Sequence, residues 1–93
     1  MREKEIEQKF RDAVKERGGI AIKLSIQSFD GMPDRMVLFP KGIIAFVEVK
    51  APGMKPRPLQ LVRHKMLRSF GFKVFVLDNV DMIAEVIDEI LSA

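Results

Sequence analysis

The feature that most constrains the fold is a pair of short apolar runs, residues 43–49 and 72–77, separated by a segment long enough for one helix. The first run is apolar on both faces until Glu48, which is typical of a central strand covered on both sides. A strand, a helix and a second strand in this order form a right-handed connection when the two strands are parallel. The sequence therefore predicts a sheet with helices packed against it.

Three elements are predicted before this unit. Residues 2–17 form a helix, whose apolar stripe consists of Ile6, Phe10, Ala13 and Val14. Residues 20–26 alternate as a strand, and its apolar side consists of Ile20, Ile22, Leu24 and Ile26. Residues 35–39 form the next strand, which a tight turn at Lys41 and Gly42 joins to the following run as a hairpin.

Two helices are predicted in the second half of the chain. Pro58 can occupy the first turn of a basic helix that Gly71 ends. The inward side of this helix is expected to consist of Leu59, Val62, Met66 and Phe70. Asn79 can cap a last helix, whose apolar side consists of Val80, Ile83, Ala84, Ile87 and Leu91. The predicted fold is α/β, in the order αβββαβα, with a mixed central sheet and helices on both faces.

Length and composition narrow the class of protein. The 93 residues leave room for one domain, residues 1–93, and 47% hydrophobic with 31% charged residues is an ordinary globular composition. The absence of Cys excludes disulfides, thiolate metal sites and Cys nucleophiles, and it favours a reducing compartment. No apolar run is long enough for a signal peptide or a membrane span. We therefore expect a cytoplasmic protein without a membrane partner.

The charges are unevenly distributed along the chain. Residues 51–75 contain no Asp or Glu, but they contain Lys55, Arg57, Arg63, His64, Lys65, Arg68 and Lys73. Such a segment favours contact with phosphate, because bound cations release counterions from a nucleic acid. A solvated helix face explains the same charges, so charge alone leaves both interpretations open. The single histidine, His64, is expected at the surface.

Three charged side chains are predicted to converge at one end of the hairpin. Asp34 precedes the first strand and Glu48 and Lys50 end the second, so closing the hairpin brings them side by side. Two adjacent carboxylates repel unless a cation neutralises them, and a divalent ion with oxygen ligands does so well. The carbonyl of Val49 could supply a third ligand. A surface ion pair and an ordinary turn acid remain the alternative.

These residues resemble the motif of the PD-(D/E)xK nuclease superfamily, with Pro33-Asp34 followed after thirteen residues by Glu48-Val49-Lys50. More narrowly, the chain resembles the VRR-NUC domain of phage and bacterial proteins. The segments that carry this resemblance are Gly31-Met32-Pro33-Asp34-Arg35, Glu48-Val49-Lys50-Ala51-Pro52 and Pro58-Leu59-Gln60. The resemblance implies a restriction-endonuclease-like core and an Mg²⁺- or Mn²⁺-dependent endonuclease that hydrolyses phosphodiester bonds in DNA, without an organic cofactor.

The resemblance also implies roles for single residues. Asp34, Glu48 and the Val49 carbonyl would hold the metal, and Lys50 would orient the attacking water. Gln60 resembles the family's glutamine and would position the water or Lys50. The first helix would supply a further acid, for which Glu7 is our choice and Glu3 the competitor. The predicted DNA contacts are Arg35, Lys55, Arg57, Arg63 and Lys65.

Stand-alone members of this family resemble Holliday junction resolvases that act as homodimers. We therefore expect a homodimer that selects branched DNA, in the interior of a phage-infected or bacterial cell. A nuclease directed to flaps or nicks, a non-catalytic DNA-binding module and an RNA substrate are the alternatives. The apolar side chains considered for the dimer contact are Phe29, Met32, Met36 and Met54, although core packing explains them equally well.

Overall fold

The computed structural model describes residues 1–92 and contains one four-stranded sheet with three α-helices. The elements are α1 (Glu3–Glu16), β1 (Ile20–Lys23), β2 (Arg35–Phe39), β3 (Ile43–Val49), α2 (Pro58–Ser69), β4 (Lys73–Leu77) and α3 (Ile83–Leu91). A single 3₁₀ turn, Val80–Met82, precedes α3. Within residues 1–92, no helix combines the length and the apolar character needed to cross a membrane.

The strands lie in the order β1-β2-β3-β4, and the sheet is mixed. The first three strands form an antiparallel meander, whereas β4 pairs parallel to β3 after the crossover through α2. Lys41 and Gly42 both have positive φ in the turn between β2 and β3. The predicted α/β class, the order of elements and the mixed sheet are confirmed.

Helices cover the two faces of the sheet unequally. The α1 and α3 face holds the larger core, which includes Ile6, Phe10, Val14, Val37, Val47, Leu77 and Ile87. On the other face α2 packs over the β3 and β4 side, where Phe46, Leu67 and Val74 form a smaller core. β3 lies between the two cores, which explains why its sequence is apolar on both sides.

The first strand is shorter than predicted. It ends at Lys23 rather than at residue 26, although the amide of Leu24 still donates to the Asp34 carbonyl at 2.8 Å. Its predicted apolar side is largely open to solvent, since Ile20 is 56% and Ile22 37% exposed. The side chains of β1 do alternate between the two faces of the sheet. Ile20 and Ile22 lie on the α2 face, beyond the part of the sheet that α2 covers.

The predicted inward side of α2 is wrong at three of its four residues, since of these four Met66 alone packs against the smaller core. Leu59, Val62 and Phe70 are exposed, and the buried residues of the helix are Gln60, His64 and Leu67. These three are spaced by four and three residues, so they form a continuous stripe adjacent to the predicted one. The helix therefore turns polar side chains toward the sheet, and the reason lies in the groups that they meet there.

The last helix follows its prediction more closely. The Asn79 side chain accepts a hydrogen bond from the Asp81 amide at 2.9 Å, as a cap does, and the 3₁₀ turn leads into α3. The buried residues of α3 are Ile83, Val86, Ile87 and Ile90, whereas the predicted Ala84 is exposed. The buried face of α3 is therefore rotated by part of a turn from the predicted one.

Candidate active site

The β2–β3 hairpin brings Asp34 and Glu48 together, and we call these two residues the acid pair. Arg35 pairs with Val47, so the residue before Arg35 lies beside the residue after Val47. The Asp34 carboxylate accepts a hydrogen bond from the Val49 amide at 2.9 Å. Val47 and Val49 are buried in the larger core, which turns Glu48 between them toward α2. The predicted convergence of the acids is present in the structure.

Glu48 is fully buried and has polar neighbours on both carboxylate oxygens. Gln60 Nε2 donates to Oε2 at 3.0 Å, and Lys50 Nζ lies 3.4 Å from the same oxygen. Burial, followed by the charge of Asp34, raises the pKa of Glu48 to about 7, while Lys50 acts in the opposite direction. The fold therefore disfavours the charged form of Glu48, and a bound cation would offset this.

Gln60 links the start of α2 to the acid pair. Its Oε1 accepts from the Arg57 amide at 2.8 Å, and its Nε2 donates to Glu48. The first contact satisfies an amide at the helix N-terminus, and the second orients the carboxylate. Gln60 thus contacts Glu48 rather than Lys50, and its role toward a water molecule stays a prediction.

His64 lies inside the protein, and its expected surface position is wrong. The side chain is 1% exposed, and its Nε2 lies 3.6 Å from Glu48 Oε1. Burial, and after it the charge of Arg68, lowers the pKa of His64. The sequence carried a usable signal, because a histidine four residues after Gln60 shares its face of a helix.

The loop before Asp34 is attached to α2. Arg63 Nε donates to the Asp30 carbonyl at 2.8 Å, and its guanidinium carbon lies 3.8 Å above the centre of the Phe29 ring. Gly31 has a φ of +88°, and a Cβ at this position would lie 2.9 Å from Leu59 Cγ. Arg63 was predicted to contact DNA, and the structure gives it these contacts within the protein. Its contact with DNA stays a prediction.

The first-helix acid lies on the other face of the sheet. Glu7 Oε1 is 2.7 Å from Arg35 Nη2, and Arg35 is itself 6% exposed. Arg35 alternates with Asp34 and therefore points toward α1 instead of α2. Its buried position does not support the predicted contact with DNA phosphate. The catalytic role of Glu7 stays a prediction, and Glu3 is exposed at the start of α1.

The basic residues of the second half of the chain fall into two groups. Arg68 donates to the Val74 carbonyl at 2.7 Å, and Lys73 donates to the Glu89 carbonyl at 2.6 Å, so both serve the fold. By contrast, Lys55, Arg57 and Lys65 are exposed. Of the predicted DNA contacts, these three have the accessibility that a phosphate contact requires.

The acid pair has the donors that a hard divalent cation prefers, two carboxylates, and the Val49 carbonyl stays the predicted third donor. Within residues 1–92, no group of three or more His, Cys, Asp and Glu side chains could hold a metal ion. A cation here would therefore keep several waters, as Mg²⁺ commonly does. Glu48 Oε1 is buried without a hydrogen-bond partner in the described part of the chain, so this oxygen has lone pairs available to a cation.

Known proteins similar to this chain are found among both curated sequences and solved structures, although no family model matches the sequence. The chain is 46% identical over 82 residues to "Putative nuclease p44" of Acyrthosiphon pisum secondary endosymbiont phage 1, covering 88% of each protein. A solved structure described as "VRR_NUC domain" matches with a TM-score of 0.86 and 33% identity. That match covers 92% of this chain and 94% of the other. Both likenesses extend over most of the chain.

Proposed function

This chain belongs to the VRR-NUC family of nucleases, and from that premise we propose that it is a metal-dependent endonuclease that cuts branched DNA as a homodimer. Asp34, Glu48 and the Val49 carbonyl would hold Mg²⁺ or Mn²⁺. The observation that carries the proposal is the burial of Glu48 beside Asp34, which raises the pKa of Glu48 to about 7. A charge so placed costs stability, and a bound cation removes that cost.

The chemistry follows from the groups around the acid pair. A bound divalent cation would act as a Lewis acid on the phosphate and favour deprotonation of water. The Lys50 ammonium, 3.4 Å from Glu48 Oε2, would add positive charge where the phosphate gains negative charge in the transition state. Its side chain is 17% exposed, so it reaches the surface from which a substrate approaches. Gln60 keeps the Glu48 carboxylate in one orientation throughout.

Contact with DNA is supported by the exposed cations near this site. Lys55 and Arg57 lie in the loop that connects Lys50 to α2, so they are available to a strand whose phosphate reaches the acid pair. Lys65 lies two turns further along the basic helix. These residues favour contact with the backbone rather than with base edges, and recognition by shape suits a branched substrate.

The homodimer is supported by an uncovered apolar row on the α2 face of the sheet. Ile20 pairs with Leu38 and Leu38 with Ile44, so the three side chains lie side by side across β1, β2 and β3. Ile20 is 56% and Ile44 is 40% exposed. A second copy would cover this row, whereas Met32 and Met36, which we also considered, already pack against the smaller core.

Sedimentation velocity tests the dimer. Ile44→Lys is expected to shift the protein to monomer, because a lysine in a symmetric apolar contact is buried without a partner. Phe70→Ser serves as the control, since Phe70 is an exposed apolar side chain at the C-cap of α2. Dissociation by Phe70→Ser alone would assign the contact to α2, and a monomeric unmodified protein would refute the dimer.

Strand-labelled substrates test the activity. Four-way junctions, flaps, nicked and intact duplexes, and the corresponding RNA junction are incubated with Mg²⁺, Mn²⁺ or EDTA. We expect symmetric cuts in the DNA junction with either metal, none with EDTA, and none with Asp34→Asn even though it still binds the junction. Binding without cutting by the unmodified protein would favour the non-catalytic module, and preference for flaps or nicks would replace the branched-junction proposal.

A further inference from the structure

The buried His64 side chain faces Glu48 without forming a hydrogen bond. Its Nδ1 and Nε2 are both buried without a hydrogen-bond partner among residues 1–92, and so is Oε1 of Glu48. Nε2 and Oε1 face each other at 3.6 Å. A buried donor or acceptor normally finds a partner, so a donor-capable nitrogen opposite an unpaired carboxylate oxygen indicates a functional arrangement.

His64 and Gln60 lie on the same face of α2, next to the carboxylate of Glu48. Gln60 and His64 are four residues apart, so they lie one above the other on the face of α2 that packs on the sheet. Gln60 Nε2 donates to Oε2 at 3.0 Å, and His64 Nε2 lies 3.6 Å from Oε1. Helix α2 therefore places one side chain next to each oxygen of the Glu48 carboxylate. The remaining lone pairs of these oxygens are left for another ligand.

We propose that His64 is a positioning residue for the metal, donating its Nε2 hydrogen to Glu48 Oε1 so that Glu48 is held in the orientation that binds the cation. This inference rests on the proposed function. The observed separation is about 0.6 Å longer than a typical hydrogen bond of about 3.0 Å. Hydrogen bonds in active sites are often long before the ligand binds and shorten in the complex.

The proposed contact is of the kind that surrounds metal ligands in general. Side chains that hold a ligating carboxylate fix its rotation and its basicity, and their loss typically lowers metal affinity by about 10- to 100-fold. His64 would act through Glu48 and not as a ligand. It also explains why α2 buries a polar stripe in place of its apolar residues.

Isothermal titration of the full chain with Mn²⁺ tests the proposal. His64→Leu keeps a buried side chain without a donor and should weaken Mn²⁺ binding by about 10- to 100-fold. His64→Gln restores a donor and should recover most of the affinity. Leu67→Ala alters packing on the same buried stripe and should leave the affinity close to that of the unmodified protein. Equal affinity of His64→Leu and the unmodified protein would overturn the inference, whereas no Mn²⁺ binding by the unmodified protein would instead overturn the proposed function.

Nitrogen NMR of the unmodified protein provides a second test that needs no variant. The chain contains one histidine, so the imidazole signals are unambiguous. We expect the neutral tautomer with hydrogen on Nε2, and we expect this signal to shift as Mg²⁺ is titrated. A tautomer with hydrogen on Nδ1 would overturn the inference, because that ring has no donor facing Glu48.

Discussion

Replacing Glu48 with glutamine should stabilise the metal-free protein at alkaline pH. The fold raises the pKa of Glu48 from its ordinary 4.5 to about 7, chiefly through burial and then through Asp34. Below pH 4.5 both the folded and the unfolded chain are protonated here, so the group costs nothing. As the pH rises toward 7, the unfolded chain loses its proton first, and stability falls; above 7 the cost becomes constant.

The magnitude follows from the same pKa values. A tenfold change in a protonation equilibrium corresponds to about 1.4 kcal/mol, so a rise from 4.5 to about 7 costs about 3 kcal/mol at pH 8.5. At pH 5 the cost is below about 1 kcal/mol, because Glu48 is protonated in the fold and partly protonated in the unfolded chain. Glutamine stays neutral and avoids the cost at both pH values.

Urea unfolding in EDTA at pH 5 and pH 8.5 measures the difference. Glu48→Gln should gain about 3 kcal/mol in unfolding free energy at pH 8.5 and less than about 1 kcal/mol at pH 5. Glu89→Gln, which removes an exposed acid on α3, should stay within about 0.5 kcal/mol at both. Equal or lower stability of Glu48→Gln at pH 8.5 would refute the claim that the fold disfavours the charged carboxylate.

Two further substitutions test the supports of the site. Gly31→Ala should lower both the unfolding free energy and the cleavage activity, because its Cβ would lie 2.9 Å from Leu59 Cγ. Gly71→Ala is the control, since Gly71 also has a positive φ but a Cβ there would meet nothing within 4 Å. Calorimetry that finds the two variants equally stable would contradict this. Glu7→Gln should cost about 2 kcal/mol in thermal or urea unfolding, since buried Arg35 loses its partner. Unchanged stability would refute the pairing, and a large loss of cleavage by the folded variant would show that Glu7 also serves catalysis.

The sheet and the acid pair were predictable because both depend on local patterns. β2 and β3 have the predicted bounds, since runs of apolar residues bounded by turn residues define short strands well. The alternation of side chains then determines that Glu48 and Lys50 share a face. That Glu48 lies beside Asp34 then followed from closing the β2–β3 hairpin.

The orientation of α2 was not predictable from its apolar residues. The helix lies over a charged site, so Gln60 and His64 are buried because they meet Glu48, and hydrophobicity does not report such contacts. Arg35 is a similar case, because a basic residue beside a proposed metal ligand was expected to contact phosphate. Its burial depends on Glu7, which lies 28 residues earlier in the chain.

Anomalous scattering from crystals grown with Mn²⁺ is the most direct test of the proposed metal site. We predict one strong peak beside the acid pair, coordinated by carboxylate oxygens of Asp34 and Glu48 and by the Val49 carbonyl. The peak should be absent from crystals of Asp34→Asn grown in the same solution. Crystals that contain Mn²⁺ elsewhere but none between Asp34 and Glu48 would contradict the account.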